Sequence, residues 1–485
     1  MTRSAASAVL SITILVTGAV VTGCSDESPR SPTTPTGAVL SAVHVDGPVF
    51  RDEMGRQVLL RGYNARVQGI FDVTFDDGRI TLEDIPPFVE ADAQRFEELG
   101  LNVLRLPVNW SGLEPHPLQY GDAYMARIEA TLELGRQHHF YVLIDMHQDA
   151  FSKEIGEDGA PLWAIVPHPT MLLQGPLNDL NDRRAASQTL RAFGTFFNNR
   201  LATDGRPLQD AFVAAVQQLV RRFKGHPALA GYEAFNEPVL TDDGLLDAFH
   251  ARFAAGVHSI DPEAAVFFEP IAFRNQMDAA RIATAPWSHG PGVYAPHIYT
   301  AIFSAPNDGW ASEDPTILAP SMEAAAGEAA AWGTPLFVGE YGTDQSAERG
   351  HRWLGAELDL QDRFLASSTI WVWRETGSWG LRTGAGEERA LTAHTVSRPF
   401  PRAVAGDLLA ITRPAPGGLR VRYRATPQSS AQPHEVSVSS ASLSNYEIRC
   451  DGTPTVAQRF TGRATFTCPP GDGEHSFEVI GTPAE

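Results

Sequence analysis

One feature constrains the fold of this chain more than any other: short apolar runs alternate with amphipathic stretches from Val58 to Trp373. The runs are apolar at consecutive positions, which indicates strands that are buried on both faces. We predict eight such strands, at Val58–Tyr63, Leu101–Leu106, Phe140–Met146, Leu229–Phe235, Ala265–Glu269, Val293–Ile298, Leu336–Glu340 and Ile370–Trp373. Between them, patterns such as Phe212, Val216 and Leu219 place one apolar stripe on a helix.

Eight strands that alternate with helices predict an α/β fold, a (β/α)8 TIM barrel over residues 38–405. Catalytic side chains are expected at the carboxyl ends of its strands. A doubly wound open sheet is the alternative, but no glycine-rich phosphate loop follows the first strand. After Pro401 the pattern changes to alternating strands such as Leu419–Tyr423 and Ser476–Val479. Residues 406–485 are therefore predicted to form a small antiparallel β-sandwich domain.

The amino terminus has the pattern of an export signal. Arg3 is followed by an apolar stretch from Ala5 to Val21, and Val21-Thr22-Gly23-Cys24 resembles a bacterial lipobox. We predict a lipoprotein signal peptide over 1–24, lipidation of Cys24 and a disordered tether over 25–37. An ordinary cleaved signal or an uncleaved anchor are the alternatives, although the apolar run is short for a span. The protein is thus expected to be exported, as a cell-envelope lipoprotein or secreted, with membrane contact through its lipid anchor.

Export and charge set further expectations. In an exported chain the remaining pair, Cys450 and Cys468, is predicted to form a disulfide.

Fifty-eight acidic against 38 basic residues give a net charge of −20, which repels phosphate backbones. We therefore expect no nucleic-acid partner, whereas a neutral sugar or neutral lipid meets no such repulsion. The expected oligomeric state is a monomer.

Two predicted strands end in glutamate. Glu237 lies in Ala234-Phe235-Asn236-Glu237-Pro238 after the fourth strand, and Glu340 lies in Val338-Gly339-Glu340-Tyr341 at the seventh. Hydrolysis of a glycoside with retention needs two carboxyl groups about 5 Å apart, one protonated and one ionised. We predict that Glu237 and Glu340 form this pair. This chemistry requires no metal ion and no cofactor.

From Val58 to Pro401 the chain resembles glycoside hydrolase family 5, in the clan whose acid/base and nucleophile lie on strands four and seven. The resemblance implies Glu237 as the general acid/base and Glu340 as the nucleophile. The resemblance implies six further site residues at strand ends, namely Arg105, His147, Asn236, His297, Tyr299 and Trp373. Asn236 would bind the sugar 2-hydroxyl, and Arg105 and Tyr299 would donate to Glu340. Trp373 would offer a flat face to a sugar ring. The pKa of Glu237 is expected to be raised, as a general acid requires.

Within the family, three segments look most like endoglycoceramidases, which cleave between an oligosaccharide and ceramide: Asp145–Asp149, Gly62–Asn64 and Arg398–Gly406. By that similarity Asp149 would bind the sugar next to the scissile bond. The chain departs from the expected pattern at Arg66 and Gln68, where a lysine would contact the same sugar.

The connection from Gln148 to Gln209 is too long for an ordinary loop and is expected to carry function. Its apolar residues form either a lipid-accepting groove or the core of the insertion itself: Trp163, Ile165, Val166, Met171, Leu172, Leu173, Phe193, Phe196 and Phe197. A lipid-facing groove would favour a glycolipid substrate.

Three alternative functions remain open from the sequence. The first is an endo-β-glucanase, cellulase or β-glucosidase of the same family, which shares the bond chemistry and differs in the aglycone. The second is a metal-dependent hydrolase with Asp145, His147 and Asp149 as ligands, since alternation along a strand aims the three to one side. The third is a non-catalytic sugar-binding lipoprotein.

Overall fold

The computed structural model describes residues 39–276, 286–300, 302, 314–346, 348–425, 429 and 431–484. Three short strands come first: β1 (Val43–Asp46), β2 (Val49–Asp52) and β3 (Gln57–Val58). Eight strands follow, namely β4 (Arg61–Asn64), β5 (Val103–Val108), β6 (Tyr141–Met146), β7 (Leu229–Glu233), β8 (Val266–Phe268), β9 (Gly292–Tyr294), β10 (Phe337–Tyr341) and β11 (Ser367–Ile370). Each overlaps one of the predicted apolar runs.

The eight strands form one parallel sheet in the order β10-β11-β4-β5-β6-β7-β8-β9. A parallel bridge between Tyr294 and Leu336 joins the two ends of this order, so the sheet closes on itself. The predicted (β/α)8 barrel is therefore confirmed, and the doubly wound open sheet is excluded.

Helices cover the sheet: α1 (Glu90–Glu98), α2 (Trp110–Leu113), α3 (Asp122–Gln137), α4 (Leu180–Arg184), α5 (Ser187–Phe197), α6 (Leu208–Phe223), α7 (Asp243–His258), α8 (Phe273–Gln276), α9 (Pro315–Trp332), α10 (Glu348–Phe364) and α11 (Ala390–Val396). Two of these helices show standard caps. The carboxylate of Asp242 accepts the backbone N–H of Leu245 at the start of α7. Helix α9 begins at Pro315 and ends at Gly333, which adopts φ +67°.

Strand β11 begins three residues before its predicted start, because Ser367, Ser368 and Thr369 are polar and yet buried. The hydroxyl of Ser368 donates to Gln361 (2.7 Å), and that of Thr369 donates to the carbonyl of Gly339 (2.6 Å). Buried hydroxyls are tolerated when they are hydrogen-bonded in this way. Apolar patterning alone does not reveal such a strand.

The remaining strands lie toward the carboxyl terminus: β12 (Arg374–Glu375), β13 (Arg382–Thr383), β14 (Pro401–Val404), β15 (Asp407–Thr412), β16 (Leu419–Ala425), β17 (His434–Ser437), β18 (Leu443–Cys450), β19 (Thr453–Thr455), β20 (Gln458–Phe460), β21 (Arg463–Phe466) and β22 (Gly473–Pro483). Two antiparallel sheets result, β1-β2-β3-β14-β17-β21-β20 and β15-β16-β22-β18-β19. Val421, Val436 and Phe477 of the two sheets share one apolar cluster. The predicted sandwich is confirmed.

The first of these sheets crosses the predicted domain boundary between Ala405 and Gly406. Strand β14 pairs with β3 on one side and with β17 on the other. Residues 39–485 accordingly form one compact unit. The amino-terminal strands thus contribute to the sandwich as well as leading into the barrel.

A disulfide joins Cys450 to Cys468, with the two Cα atoms 5.5 Å apart. Cys450 ends β18 and Cys468 follows β21, so the bond connects the two sheets of the sandwich. We expect the double variant Cys450→Ser/Cys468→Ser to lose about 3 kcal/mol of unfolding free energy, because the crosslink restricts the unfolded chain. Chemical denaturation with and without reductant measures this loss, and equal midpoints for both proteins would contradict it.

The predicted signal peptide, the tether and Cys24 lie outside the described residues. Among the residues that are described, every helix is too short or too polar to cross a bilayer.

Candidate active site

Glu237 and Glu340 meet at the carboxyl end of the barrel. Glu340 lies within β10, and Glu237 lies in the loop after β7. One carboxylate oxygen of each, together with a ring nitrogen of His297, lies within 4.8 Å of the others. Retaining glycosidases hold their two carboxyl groups about 5 Å apart, and inverting ones leave room for a water at about 6.5–9.5 Å. The spacing therefore matches the retaining geometry.

Arg105 lies at the centre of the site and is fully buried. Its Nη1 donates to Glu340 (2.8 Å) and to Asn64 (2.9 Å), and its Nη2 donates to the amide oxygen of Asn236 (2.9 Å). Its Nε donates to Glu233 (2.6 Å). A buried guanidinium requires such partners, so its planar donors fix the positions of the groups around it.

Tyr299 provides the second hydrogen bond to Glu340. Its hydroxyl donates to Oε2 of Glu340 (2.8 Å), while Arg105 donates to Oε1 (2.8 Å). Both carboxylate oxygens are therefore held, and the side chain of Glu340 has one orientation. The residue before it, Gly339, leaves little room for a side chain, because a Cβ atom would lie 3.0 Å from the imidazole ring of His297.

Glu237 is held through its backbone and its side chain. It adopts φ +44°, a left-handed conformation that is uncommon outside glycine and that concentrates at functional sites. Its backbone N–H donates to Glu269 (3.1 Å), and its carboxylate lies 2.9 Å from Nδ1 of His297. Burial acts to raise the pKa of Glu237, but the hydrogen bond and charge of His297 outweigh burial and lower it. The pKa of Glu237 is thus lowered and not raised as expected.

His147 forms part of the wall of the site. Its Nδ1 lies 2.6 Å from Asp145, and its ring stacks on Trp371 with centroids 5.6 Å apart. Burial alone would lower the pKa of His147, but the carboxylate of Asp145 raises it to about 9. Asp149 lies further out, where its carboxylate is paired with Arg184 of α4.

Trp373 is not at the site, which corrects its predicted role. Its side chain is only 2% exposed, packs against Tyr63 and Phe96, and donates from Nε1 to Asp92 (3.1 Å). Trp371, two positions earlier, is the partly exposed tryptophan that stacks on His147. The prediction was wrong because β11 ends at Ile370, so the residue directly after the strand is Trp371.

Arg66 occupies the position where a lysine was expected. Its guanidinium donates twice to Glu83 (2.6 and 3.0 Å) and lies 5.9 Å from the ring centroid of Trp371. The substitution therefore adds a planar cation beside the tryptophan.

The three residues considered as metal ligands do not converge. Asp149 pairs with Arg184, whereas Asp145 contacts His147 and the guanidinium of Arg105 (3.1 Å). Within the described residues, the carboxylate and histidine groups that approach one another closely enough for an ion include Glu237, His297 and Glu340 instead. These are the predicted glycosidase residues.

Sequence reasoning missed Asn64, Glu233, Glu269 and Trp371. Glu233 ends β7 and Glu269 directly follows β8. Glu233 contacts Arg105 at 2.6 Å, and Glu269 faces it at 3.6 Å. A usable signal existed, since a charged residue that ends an apolar run cannot be buried without a partner. That rule singles out both glutamates without identifying the partner.

The aromatic residues of the long insertion form a core. Phe193, Phe196 and Phe197 are at most 2% exposed, and Phe196 stacks on Phe235 with centroids 5.1 Å apart. In contrast, Met171 is 82% exposed and Leu172 is 40% exposed. The groove interpretation is therefore wrong for the aromatic cluster, because α5 packs its apolar face on α6 and α7.

A closed (β/α)8 barrel with two carboxylates close together at its carboxyl face is the arrangement expected of a retaining glycoside hydrolase. Residues 73–377 match the family model for cellulase, glycosyl hydrolase family 5. The chain belongs to glycosyl hydrolase family 5.

Among similar proteins, an endoglycoceramidase from Cyanea nozakii is 25% identical over 280 residues, which cover 50% of this chain and 53% of that protein. Endoglycoceramidase I from Rhodococcus hoagii (strain 103S) is 26% identical over 292 residues, covering 55% and 54%. The chain thus matches about half the length of these curated relatives. A solved structure of endo-glycoceramidase II from Rhodococcus sp. in complex with ganglioside GM3 has a TM-score of 0.74 at 22% identity and covers 90% of this chain and 100% of that one. This last likeness shows the fold.

Proposed function

We propose that this protein is a retaining β-glycosidase that hydrolyses the bond between a glycan and a lipid aglycone by double displacement. The observation that carries the proposal is the approach of Glu237 and Glu340 within 4.8 Å at the carboxyl end of a family 5 barrel. The names of the relatives, endoglycoceramidases, support a glycolipid as the substrate class.

In the first step, Glu237 donates a proton to the glycosidic oxygen while an oxygen of Glu340 attacks the anomeric carbon. The bond to the leaving oxygen breaks, its electron pair stays on that oxygen, and the lipid alcohol departs. In the second step, Glu237 takes a proton from water, whose oxygen displaces Glu340 from the anomeric carbon. Arg105 and Tyr299 hold Glu340 throughout, and the amide of Asn236 faces the sugar 2-hydroxyl.

An apolar rim supports a lipid aglycone. Three apolar side chains, Ile80, Met171 and Leu172, are 58%, 82% and 40% exposed. Two hydrogen bonds join the segments that carry them. The carbonyl of Ile80 accepts the N–H of Gly175 (2.8 Å), and the carbonyl of Leu173 accepts from the guanidinium of Arg79 (2.8 Å).

The rim adjoins the site through a small apolar cluster. Leu173 packs in this cluster with Phe71, whose ring lies 5.8 Å from that of His147. An acyl chain that leaves the reaction centre along this side would meet apolar surface, and burial of such surface is favourable by about 25 cal/mol per Å².

The test is release of free ceramide and intact glycan from detergent-dispersed lactosylceramide, measured by mass spectrometry, with a cello-oligosaccharide as the competing substrate. Ceramide release supports the proposal. Cleavage of the cello-oligosaccharide alone would keep the mechanism and assign the enzyme to polysaccharides, the second candidate, in line with the cellulase family model.

The double variant Met171→Asp/Leu172→Asp is expected to lower kcat/KM for lactosylceramide about tenfold, because one Met or Leu contact contributes about 1.5–3 kcal/mol when fully buried. A soluble aryl glycoside should be cleaved within twofold of the wild-type rate. Val456→Asp is the matched control, since Val456 is 92% exposed but lies in the sandwich. Equal losses on both substrates would contradict a lipid-binding rim.

We also propose that the protein is exported and anchored through lipidated Cys24, on the pattern of its first 24 residues. Metabolic labelling with an alkynyl fatty acid tests this. Label is expected in the wild type and absent from Cys24→Ala.

A further inference from the structure

A third carboxylate, Glu269, lies behind the acid/base candidate. It follows β8 and is fully buried. Its Oε1 accepts the backbone N–H of Glu237 (3.1 Å) and lies 3.2 Å from Nε2 of His297. The other ring nitrogen of His297, Nδ1, lies 2.9 Å from the carboxylate of Glu237. The side chains of Glu269, His297 and Glu237 therefore form one continuous line.

The charges around this line favour a protonated imidazole. His297 faces the carboxylates of Glu237, Glu269 and, at 3.5 Å, Glu340. Burial alone would lower the pKa of His297, but these carboxylates raise it well above its usual value. Glu269 in turn faces Arg105 (3.6 Å) and lies within 4.8 Å of a carboxylate oxygen of Glu233. Each ring nitrogen of the imidazole thus faces a carboxyl group. Burial raises the pKa of Glu269 to about 8, and the charge and hydrogen bond of His297 oppose that effect, so a proton on His297 favours the ionised form of Glu269.

We propose that Glu269 is a positioning residue that keeps a proton on His297 in reserve for Glu237. The proposal rests on the glycosidase function given above. When the glycoside binds, the proton passes from Nδ1 of His297 to the carboxylate of Glu237, which delivers it to the glycosidic oxygen as the C–O bond breaks. His297 is then neutral and donates its Nε2–H to Glu269. The proton that Glu237 later takes from water returns along the same hydrogen bond.

This arrangement accounts for two features of Glu237. The pKa of Glu237 is lowered against the effect of burial, chiefly by the hydrogen bond and charge of His297. The left-handed backbone of Glu237 is held in place by Glu269, which accepts the N–H of Glu237. One buried carboxylate therefore sets both the position and the proton supply of the acid/base group.

The first experiment is independent of activity. In protein labelled with ¹⁵N-histidine, the signal of His297 is assigned by its loss in His297→Gln, and both ring nitrogens are expected to carry protons at pH 7. In Glu269→Gln the pKa of His297 should fall by about one unit or more, because a carboxylate at hydrogen-bond distance is lost. Glu233→Gln is the matched control: it removes a buried carboxylate that also faces Arg105, and the fall should be smaller. A neutral imidazole in the wild type would overturn the proposal, and so would an equal fall of the His297 pKa in the two variants. If Glu269→Gln does not fold, the wild-type measurement alone decides.

The second experiment separates proton supply from structure. With an alkyl glycolipid, the alkaline limb of the kcat/KM profile should move to lower pH in Glu269→Gln, because the last proton shared by His297 and Glu237 leaves more readily without the negative charge. With a dinitrophenyl glycoside, whose leaving group needs no proton, the glycosylation rate should change by less than about threefold. Equal losses on both substrates with an unmoved limb would overturn the proposal. A wild type that cleaves no glycoside would instead refute the glycosidase function, while the NMR titration still decides the state of His297.

Discussion

Glu340→Gln is expected to lower kcat by a factor on the order of 10⁴ or more, because an amide cannot form the glycosyl ester that double displacement requires. In the wild type, Arg105 and Tyr299 each donate a hydrogen bond of 2.8 Å to Glu340. Glutamine keeps the size of the side chain, and its amide oxygen can still accept one of these hydrogen bonds. Loss of activity would therefore reflect the missing nucleophile. Initial rates on lactosylceramide and on an aryl glycoside measure the change.

Covalent trapping identifies the same atom directly. A 2-fluoro glycoside with an activated leaving group should form a stable ester in the wild type, and mass spectrometry of peptides should place it on Glu340. The fluorine slows hydrolysis of the ester because it destabilises the positive charge that develops in the transition state. Labelling of another carboxylate, or undiminished turnover by Glu340→Gln, would contradict the assignment.

Glu237→Ala is expected to lower kcat/KM for a glycolipid by about 10²–10⁴, the usual contribution of general acid catalysis. The loss should nearly vanish for formation of the glycosyl enzyme from a dinitrophenyl glycoside, because this leaving group departs without a proton. Pre-steady-state release of dinitrophenol, compared with steady-state turnover, separates the two steps. A burst followed by slow turnover is the expected pattern.

Azide provides the control for this variant. With the carboxylate removed, a small anion can enter and attack the glycosyl enzyme without base catalysis, so azide should accelerate turnover and yield a β-glycosyl azide. The β configuration would also establish retention, which the approach of the two carboxylates to within 4.8 Å supports. An α product, or no acceleration, would argue against Glu237 as the acid/base.

Several features of the fold follow directly from the sequence. Eight apolar runs separated by helical patterns identify a closed parallel barrel, since strands buried on both faces read as continuous apolar segments. The alternating pattern after Pro401 identifies the antiparallel sandwich, whose outward residues face water. Within the barrel, a glutamate at or just after the end of each of two buried strands was enough to predict that Glu237 and Glu340 meet, because the carboxyl ends of all barrel strands share one face.

Other features needed the tertiary structure. Trp371 and Trp373 are two positions apart, and only the end of β11 at Ile370 decides which of them reaches the site. The membership of β1–β3 in the sandwich depends on pairing with β14, which is distant in the chain. The apolar pattern of a strand shows which of its faces is buried, but it does not show which distant strand it pairs with.

By itself, the sequence determined the barrel, the sandwich and the identity of the paired glutamates, since these follow from periodicity and from the strand ends on which polar residues fall. Only the tertiary structure showed that His297 lies between Glu269 and Glu237. Only the tertiary structure showed that the aromatic residues of the insertion are buried while Met171 and Leu172 are exposed. The physical reason is that burial, hydrogen bonding and proton sharing depend on distances between residues far apart in the chain, which composition and spacing do not encode.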